Sequence, residues 1–417
     1  MVPRSLAPVL QGVSRFFPVV LLTGPRQVGK STLLELCAES GRGVVSLDDL
    51  DERDLARRDP ALFLQRHRPP LIIDEVQYAP ELFSAIKIAV DRSRQMGQFW
   101  LTGSQKFDLM QGITESLAGR VAILDLLGLS QAELTGRATE ARPFLPAADW
   151  PSTGTGTGTG SGSPPGQAAA PRDLMSLYRT IWRGSFPRIA LDDQLPRDIF
   201  FNSYVQTYIQ RDVRALTRVG DELAFHRLVR AAAARTGQLL NYADLARDVD
   251  VDQKTVKSWL GILETSGLIY LLPPWHSNLT KRLVKTPKLY FLDTGLCAFL
   301  TQWTSPESLE AGAMSGALLE TYVLGEILKS YWHQGRSVNL SFYRDRDGRE
   351  IDLLIDQDDR LYPIEIKKTA TPSRTAARHF AVLSDLGRPP GHGAVLCLKE
   401  RATPLSADLT AIPIWEL

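Results

Sequence analysis

The chain has 417 residues, 48 of them Lys or Arg and 47 Asp or Glu, for a formal net charge of +1. At roughly 150 residues per domain that length holds two to three domains, and the balanced charge excludes a chain-wide basic footprint, though not a local basic stripe. Hydrophobic content of 44% suits a buried core, while three scattered cysteines (Cys37, Cys297, Cys397) exclude a disulfide framework or a clustered zinc site.

No run approaches the ~18 apolar residues of a membrane span. Val19-Val20-Leu21-Leu22 is apolar but too short for a signal peptide. The expectation is a soluble protein of a reducing compartment, the cytoplasm.

Short apolar strands alternate with helices in the first part of the chain. Strands are predicted at 18–23, 44–47, 71–74, 99–102 and 121–126, and helices at 30–40 and 81–94. That alternation predicts a parallel sheet covered on both faces. Between the first strand and helix stands Gly24-Pro25-Arg26-Gln27-Val28-Gly29-Lys30-Ser31, followed by Thr32. It fits G-x-x-x-x-G-K-[ST] at every fixed position. Glycines let backbone N–H groups wrap a phosphate, and the helix N-terminus adds positive potential. Lys30 is expected on the β- and γ-phosphates and Ser31 on Mg²⁺.

Leu71-Ile72-Ile73-Asp74-Glu75 is an apolar strand ending in two carboxylates. Asp74 is expected to hold Mg²⁺ through water, and Glu75 to activate the attacking water. After the strand at 99–102 comes Gly103-Ser104-Gln105, where Ser104 or Gln105 is placed to sense a γ-phosphate. Arg120, in Leu117-Ala118-Gly119-Arg120, is a candidate for stabilising transition-state charge in a neighbouring subunit, with a structural arginine as the alternative.

Residues 151–166 read PSTGTGTGTGSGSPPG, without charge or large apolar groups. Such a stretch cannot offset its ordering entropy, so it reads as a flexible linker. Beyond it the pattern turns helical. From Tyr242 to Ile269 it reads as a helix-turn-helix: Leu245 and Ala246 face Val256, Leu260 and Leu263, Asp252 caps the second helix, and Gln253, Lys254 and Lys257 lie outside. Nearby Asp244, Asp248, Asp250 and Asp252 argue against base reading, so a structural lid stays open as an alternative. Lys281, Arg282, Lys285 and Lys288 then form a candidate phosphate-contacting strip, or a solvated loop.

The last part mixes strands at 288–292, 340–344, 351–355 and 361–366 with a long helix at 316–332. Asp352 and Glu365 stand at hairpin spacing, and Glu365 and Lys367 are two apart on one strand face. Two carboxylates and a lysine on one face can bind Mg²⁺ and position a water beside a phosphodiester; a plain surface pair is the alternative.

GPRQVGKST, LIIDEVQYAPELF, LTGSQ and SLAGRV, in this order, resemble a widespread prokaryotic family of AAA+-type ATPases, and the resemblance extends over nearly the whole chain. It implies ATP rather than GTP, in keeping with the lack of an N-K-x-D motif in the N-terminal region, and a C-terminal domain of unknown function with a nuclease-like core. Asp352, Glu365 and Lys367 resemble the PD-(D/E)xK core, whose additional helix acid Glu320 matches; Glu320, Asp352 and Glu365 are then the metal candidates. The Thr-Gly stretch lies outside the family pattern.

The resulting expectation is an α/β P-loop ATPase of the additional-strand type at 1–140, a linker at 141–171, a helical and winged-helix domain at 172–275 and a restriction-endonuclease-like α/β domain at 276–417. The function expected is ATP hydrolysis coupled to action on DNA, with self-association (a hexameric ring among the options) and C-terminal DNA binding, with or without cleavage. An ATP-controlled switch whose C-terminal domain is a non-catalytic interaction module is the alternative.

Overall fold

A computed structural model describes residues 2–104, 116–150, 173–209, 222–275, 286–345 and 347–417. The predicted linker at 151–166, Gln105 and the basic residues Lys281, Arg282 and Lys285 lie outside the described residues.

The N-terminal unit runs α1 (Ala7–Val13), β1 (Val19–Thr23), α2 (Lys30–Cys37), β2 (Gly43–Ser46), α3 (Leu50–Arg58), α4 (Pro60–Arg66), β3 (Leu71–Asp74), α5 (Leu82–Ser93), β4 (Phe99–Gly103) and β5 (Val121–Asp125). All five strands are parallel, in the order β2-β3-β4-β1-β5. Strand alternation divides the core. Val19, Leu21, Leu71, Ile73, Phe99 and Leu101 pack toward Phe83 and Ile86 of α5. Val20, Leu22, Ile72 and Trp100 face the other way, onto Leu10 of α1 and Leu33 and Leu34 of α2. Burial on both faces explains the unbroken apolar runs; each such side chain contributes on the order of 1.5–3 kcal/mol.

A short α6 (Gln131–Leu134) follows. Residues 141–150, expected to open the linker, are instead pinned to the C-terminal part. Phe144 is buried, its N–H donates to Ser330 Oγ (3.0 Å), and its carbonyl accepts from the Tyr331 hydroxyl (2.9 Å).

The middle part holds α7 (Leu174–Arg183), α8 (Pro187–Ala190), α9 (Arg197–Tyr204), α10 (Glu222–Ala233), β6 (Gln238–Leu239), α11 (Tyr242–Val249), α12 (Gln253–Thr265) and β7 (Ile269–Leu272). Asp252 caps α12 by accepting from the N–H groups of Lys254 (2.8 Å) and Thr255 (3.0 Å), as its sequence position predicts. Leu245, Val256, Leu260 and Leu263 are buried together.

The next strand, β8 (Lys288–Phe291), was expected to open the C-terminal unit. It pairs antiparallel with β7 and β6 and so completes the three-stranded middle sheet, β6-β8-β7. Its burial on both faces leaves it no alternation to tell the two sheets apart.

α13 (Thr294–Leu300) and α14 (Pro306–Ala311) lead to the long α15 (Ser315–Trp332) and then β9 (Leu340–Arg344), β10 (Glu350–Gln357), β11 (Arg360–Ile366), β12 (Gly393–Cys397), β13 (Thr403–Ser406) and β14 (Leu409–Pro413). These strands form a mixed six-stranded sheet, β13-β14-β12-β11-β10-β9, parallel at β11–β12 and β12–β14. α15 is buried along almost its whole length, because it lies between this sheet and the N-terminal unit. Among the described residues no helix is long and apolar enough to cross a membrane.

Candidate functional site

β1, β3 and β4 end on the same edge of the parallel sheet, and β4 is inserted between β1 and β3. The loop from β1 to α2 therefore lies beside the carboxylates that close β3, as ligand sites do in open parallel sheets. The loop's shape demands glycine at its first position. Gly24 has φ +141°, and a Cβ there would stand 2.0 Å from the Leu126 carbonyl oxygen. Gly29, at φ +90°, caps α2.

Lys30 is buried, and its ammonium donates to the carbonyls of Gly24 (3.0 Å) and Pro25 (2.8 Å) within the loop. The Ser31 hydroxyl donates to Asp74 Oδ1 at 2.6 Å. Thr102, on the neighbouring strand, donates to the same oxygen and accepts from the Glu75 N–H at 3.0 Å. Glu75 sits at φ +56°, a left-handed conformation costing a non-glycine residue about 1–3 kcal/mol. Its Oε2 accepts from Gln77 Nε2 and from Ser104 Oγ (3.3 Å). Hydroxyl and carboxylate oxygens at Ser31 and Asp74 are the hard donor set that suits Mg²⁺, so these residues fit the metal.

Arg26 is buried, with Nη2 3.4 Å from the Tyr78 hydroxyl. Gln27 is left-handed at φ +62°, Val28 is buried, and Thr32 is exposed at the head of α2. Arg120 precedes β5, whose first residue pairs with Val19 at the start of β1, so it stands on the opposite sheet edge from the phosphate loop. There it is tied to Asp91 (2.6 and 3.0 Å). It does not reach the loop of its own chain.

Arg4 went unread as a site residue. Its Nη1 donates to the Val28 carbonyl (2.8 Å) and its Nη2 to that of Leu127 (2.7 Å), while Nε stands 3.1 Å from Glu133. Glu133 accepts from the N–H groups of Ser5 (2.8 Å) and Ser130 (2.9 Å) and lies 3.3 Å from His333 Nδ1 of the segment after α15. Burial works to raise the Glu133 pKa, but His333, Arg4 and the N–H donors outweigh it and hold the group well below the usual carboxylate range. Burial lowers that of His333, against the opposing pull of the Glu133 carboxylate. Nearby, Glu326 of α15 accepts from Gln131 N–H (2.8 Å) and pairs with Lys329 (2.8 Å), which also donates to the Leu129 carbonyl (3.0 Å). A buried polar chain thus runs from the phosphate loop to α15. Arg4 carries no local sequence signal, since its partners lie 24 and 123 residues away.

In the C-terminal sheet, Lys367 Nζ lies 2.6 Å from Glu365 Oε1, so the two share a face as their spacing predicts. Asp352 Oδ2 accepts from the Ile366 N–H at 2.8 Å, bringing β10 and β11 acids together. Burial, reinforced by the Asp352 charge, pushes Glu365 up to about 7; burial also raises Asp352 and Glu320. Glu320 on α15 joins them, but through Lys288. The Lys288 ammonium lies 3.2 Å from Glu320 and 2.6 Å from Glu350. Tyr290, two residues on along β8, also donates to Glu320. Lys288 is therefore not part of an exposed basic strip: its side chain is 5% exposed. Burial alone would lower its pKa, but Glu320 and Glu350 outweigh that and raise it, so it stays charged. Among the described residues no three acidic, His or Cys side chains are grouped to hold a metal. As folded, Glu320, Asp352 and Glu365 do not fit one.

On α12, Lys254 and Lys257 are exposed, as expected of an outer face. Lys257 stands 5.1 Å from the centre of the Tyr242 ring.

Comparison with known proteins gives three family matches along the chain. Residues 17–135 match an AAA domain, 175–307 a domain of unknown function (DUF8612) and 315–417 another (DUF4143). A protein of Mycobacterium tuberculosis and one of Mycobacterium bovis, each described only as an uncharacterized protein, are 30% identical over 412 residues, covering 98% of this chain and 83% of theirs. Among solved structures, the Walker-type ATPase of Pyrococcus abyssi is 15% identical, with a TM-score of 0.43 over 71% of this chain and 94% of that one.

Proposed function

This chain belongs to the family of the two mycobacterial proteins that match 98% of its length, and from the AAA-domain match at residues 17–135 we propose that it hydrolyses ATP to drive action on DNA. The observation that carries the reading is the joining of Ser31, Thr102 and Glu75 around Asp74 at the mouth of the phosphate loop. Lys30, now on the Gly24 and Pro25 carbonyls, would contact the β- and γ-phosphates when nucleotide binds. Ser31 and, through water, Asp74 would hold Mg²⁺, which would neutralise charge on the phosphate oxygens. Glu75 accepts the proton of the attacking water, and Gln77 and Ser104 set its carboxylate in place. Arg120, paired with Asp91 in its own chain, is the candidate to stabilise transition-state charge at a neighbour's loop in a ring, with a hexamer as one form.

The middle part is read as a winged helix: α10, α11 and α12 followed by the sheet that β7 and β8 close. α12 presents Lys254 and Lys257 to a phosphate backbone; Lys281, Arg282 and Lys285, outside the described residues, stay candidates for phosphate contact on their sequence alone. The C-terminal unit is read as a nuclease-like fold that holds DNA.

The second reading, an ATP-controlled switch, rests on the chain Val28–Arg4–Glu133–His333. It ties the loop that senses nucleotide to the helix that carries Glu320. ATP turnover measured with single-stranded, duplex and branched DNA separates the two. Acceleration by any of them supports DNA action; turnover indifferent to all three, with ATP-dependent assembly, leaves the switch.

A further inference from the structure

Four carboxylates and two ammonium groups meet where the middle sheet touches the C-terminal one. Glu320 comes from α15, Glu350 and Asp352 from β10, Glu365 from β11, Lys367 from the position just past its end, and Lys288 from β8. Lys288 is the member that crosses between sheets. It bridges Glu320 and Glu350 at 3.2 and 2.6 Å and is packed 5.4 Å from the centre of the Phe342 ring on β9. Asp352 lies within electrostatic reach of both Lys288 and Lys367. The segment after β7 is held against β9 next to this point, where the Trp275 backbone N–H donates to the Phe342 carbonyl at 2.6 Å.

We propose that Lys288 is the resident cation of this carboxylate pocket, standing where a divalent metal would otherwise bridge α15 and β10. A hard divalent ion needs oxygen ligands at about 2.0–2.6 Å. To reach Glu320 and Glu350 together it must enter the space the ammonium already fills. Two cations in one buried pocket also repel strongly, since interior charges are poorly screened. A lysine rooted in the protein competes at a fixed effective concentration, so a free ion enters only where its own concentration and affinity overcome that competition. The pocket therefore fastens the middle sheet to the C-terminal one and binds no divalent ion there. This inference does not rest on the ATPase reading, and it takes the Glu320–Glu350 position away from any metal in the C-terminal unit.

The test uses the full chain without nucleotide and Mn²⁺ as probe, followed by the loss of free Mn²⁺ paramagnetic resonance signal. Wild type and Asp352→Asn are expected to give superimposable isotherms, because any Mn²⁺ they bind lies at the phosphate loop. Lys288→Met, which keeps the stem and removes the charge, is expected to gain a site at least tenfold tighter. Lys288→Met/Glu350→Gln is expected to lose it. A wild-type site that disappears in Asp352→Asn overturns the proposal. So does a folded Lys288→Met that gains nothing. If Lys288→Met does not fold, the wild-type and Asp352→Asn pair decides alone.

Discussion

Glu133→Ala is the perturbation whose effect the structure sets most narrowly. Its side chain has no exposure and serves four neighbours: the Arg4 guanidinium at 3.1 Å, His333 at 3.3 Å, and the N–H groups of Ser5 and Ser130. Truncation leaves Arg4 buried without its counter-charge and two buried donors unmade. Removing one partner of a buried pair costs about 3–5 kcal/mol. For a unit of 150–250 residues that corresponds to a fall in melting temperature of roughly 6–20 °C. A control is Asp54→Ala, whose pair with Arg58 has side chains 54% and 79% exposed; such pairs contribute about 0.3–0.5 kcal/mol. The pH dependence has a definite sign. The folded-state pKa of Glu133 lies below its unfolded value, so its contribution is complete above the unfolded value near ~4.3 and is lost as pH falls from there toward the folded one. Glu133→Ala should flatten that acid limb. Calorimetry at pH 7 and across pH 3–5 reads both effects. If Glu133→Ala melts within ~1 kcal/mol of wild type, the buried chain does not hold the phosphate loop to α15.

Gly24→Ala forces a Cβ to within 2.0 Å of the Leu126 carbonyl; nucleotide binding should disappear in an equilibrium titration while the far-ultraviolet spectrum is kept. Thr102→Val removes a donor to Asp74 and the acceptor for Glu75 N–H; urea denaturation should show a loss of about 1–3 kcal/mol, and Mg²⁺ dependence of turnover should shift to higher concentration. Asp252→Ala unmakes the cap of α12 and should lower stability by about 0.5–2 kcal/mol, seen as a lower urea midpoint at unchanged slope. Lys254→Ala/Lys257→Ala should weaken DNA binding evenly across sequences and reduce the salt slope by about 2; an unchanged slope removes α12 from the DNA surface.

The parallel sheet was legible because its central strands β1, β3 and β4 are buried on both faces and bounded by turn residues. The phosphate loop was legible because its glycines, lysine and serine are local. What escaped the sequence is non-local. Thr102 and Gln77 stood inside quoted motifs, yet their roles arise only when β4 lies beside β3. Glu350 was visible two residues before Asp352, on the same strand face. Lys288 looked like part of a basic strip because a sequence window counts charge and not burial; its acidic partners lie 32 and 62 positions on. The strand that carries it was read into the wrong sheet for the same reason, since pairing partners are set by topology. Residues 141–150 were read as linker because the Pro and Ala near the linker hid the anchor at Phe144.

The most direct test of the central claim is ATP hydrolysis by wild type, Lys30→Ala and Glu75→Gln, with nucleotide binding measured alongside. The account predicts turnover by wild type, loss of both binding and turnover in Lys30→Ala, and retained binding with turnover lowered by about 10²–10⁴-fold in Glu75→Gln. Turnover by Lys30→Ala at the wild-type rate, or a wild type that binds ATP without hydrolysing it under any DNA condition, would contradict it.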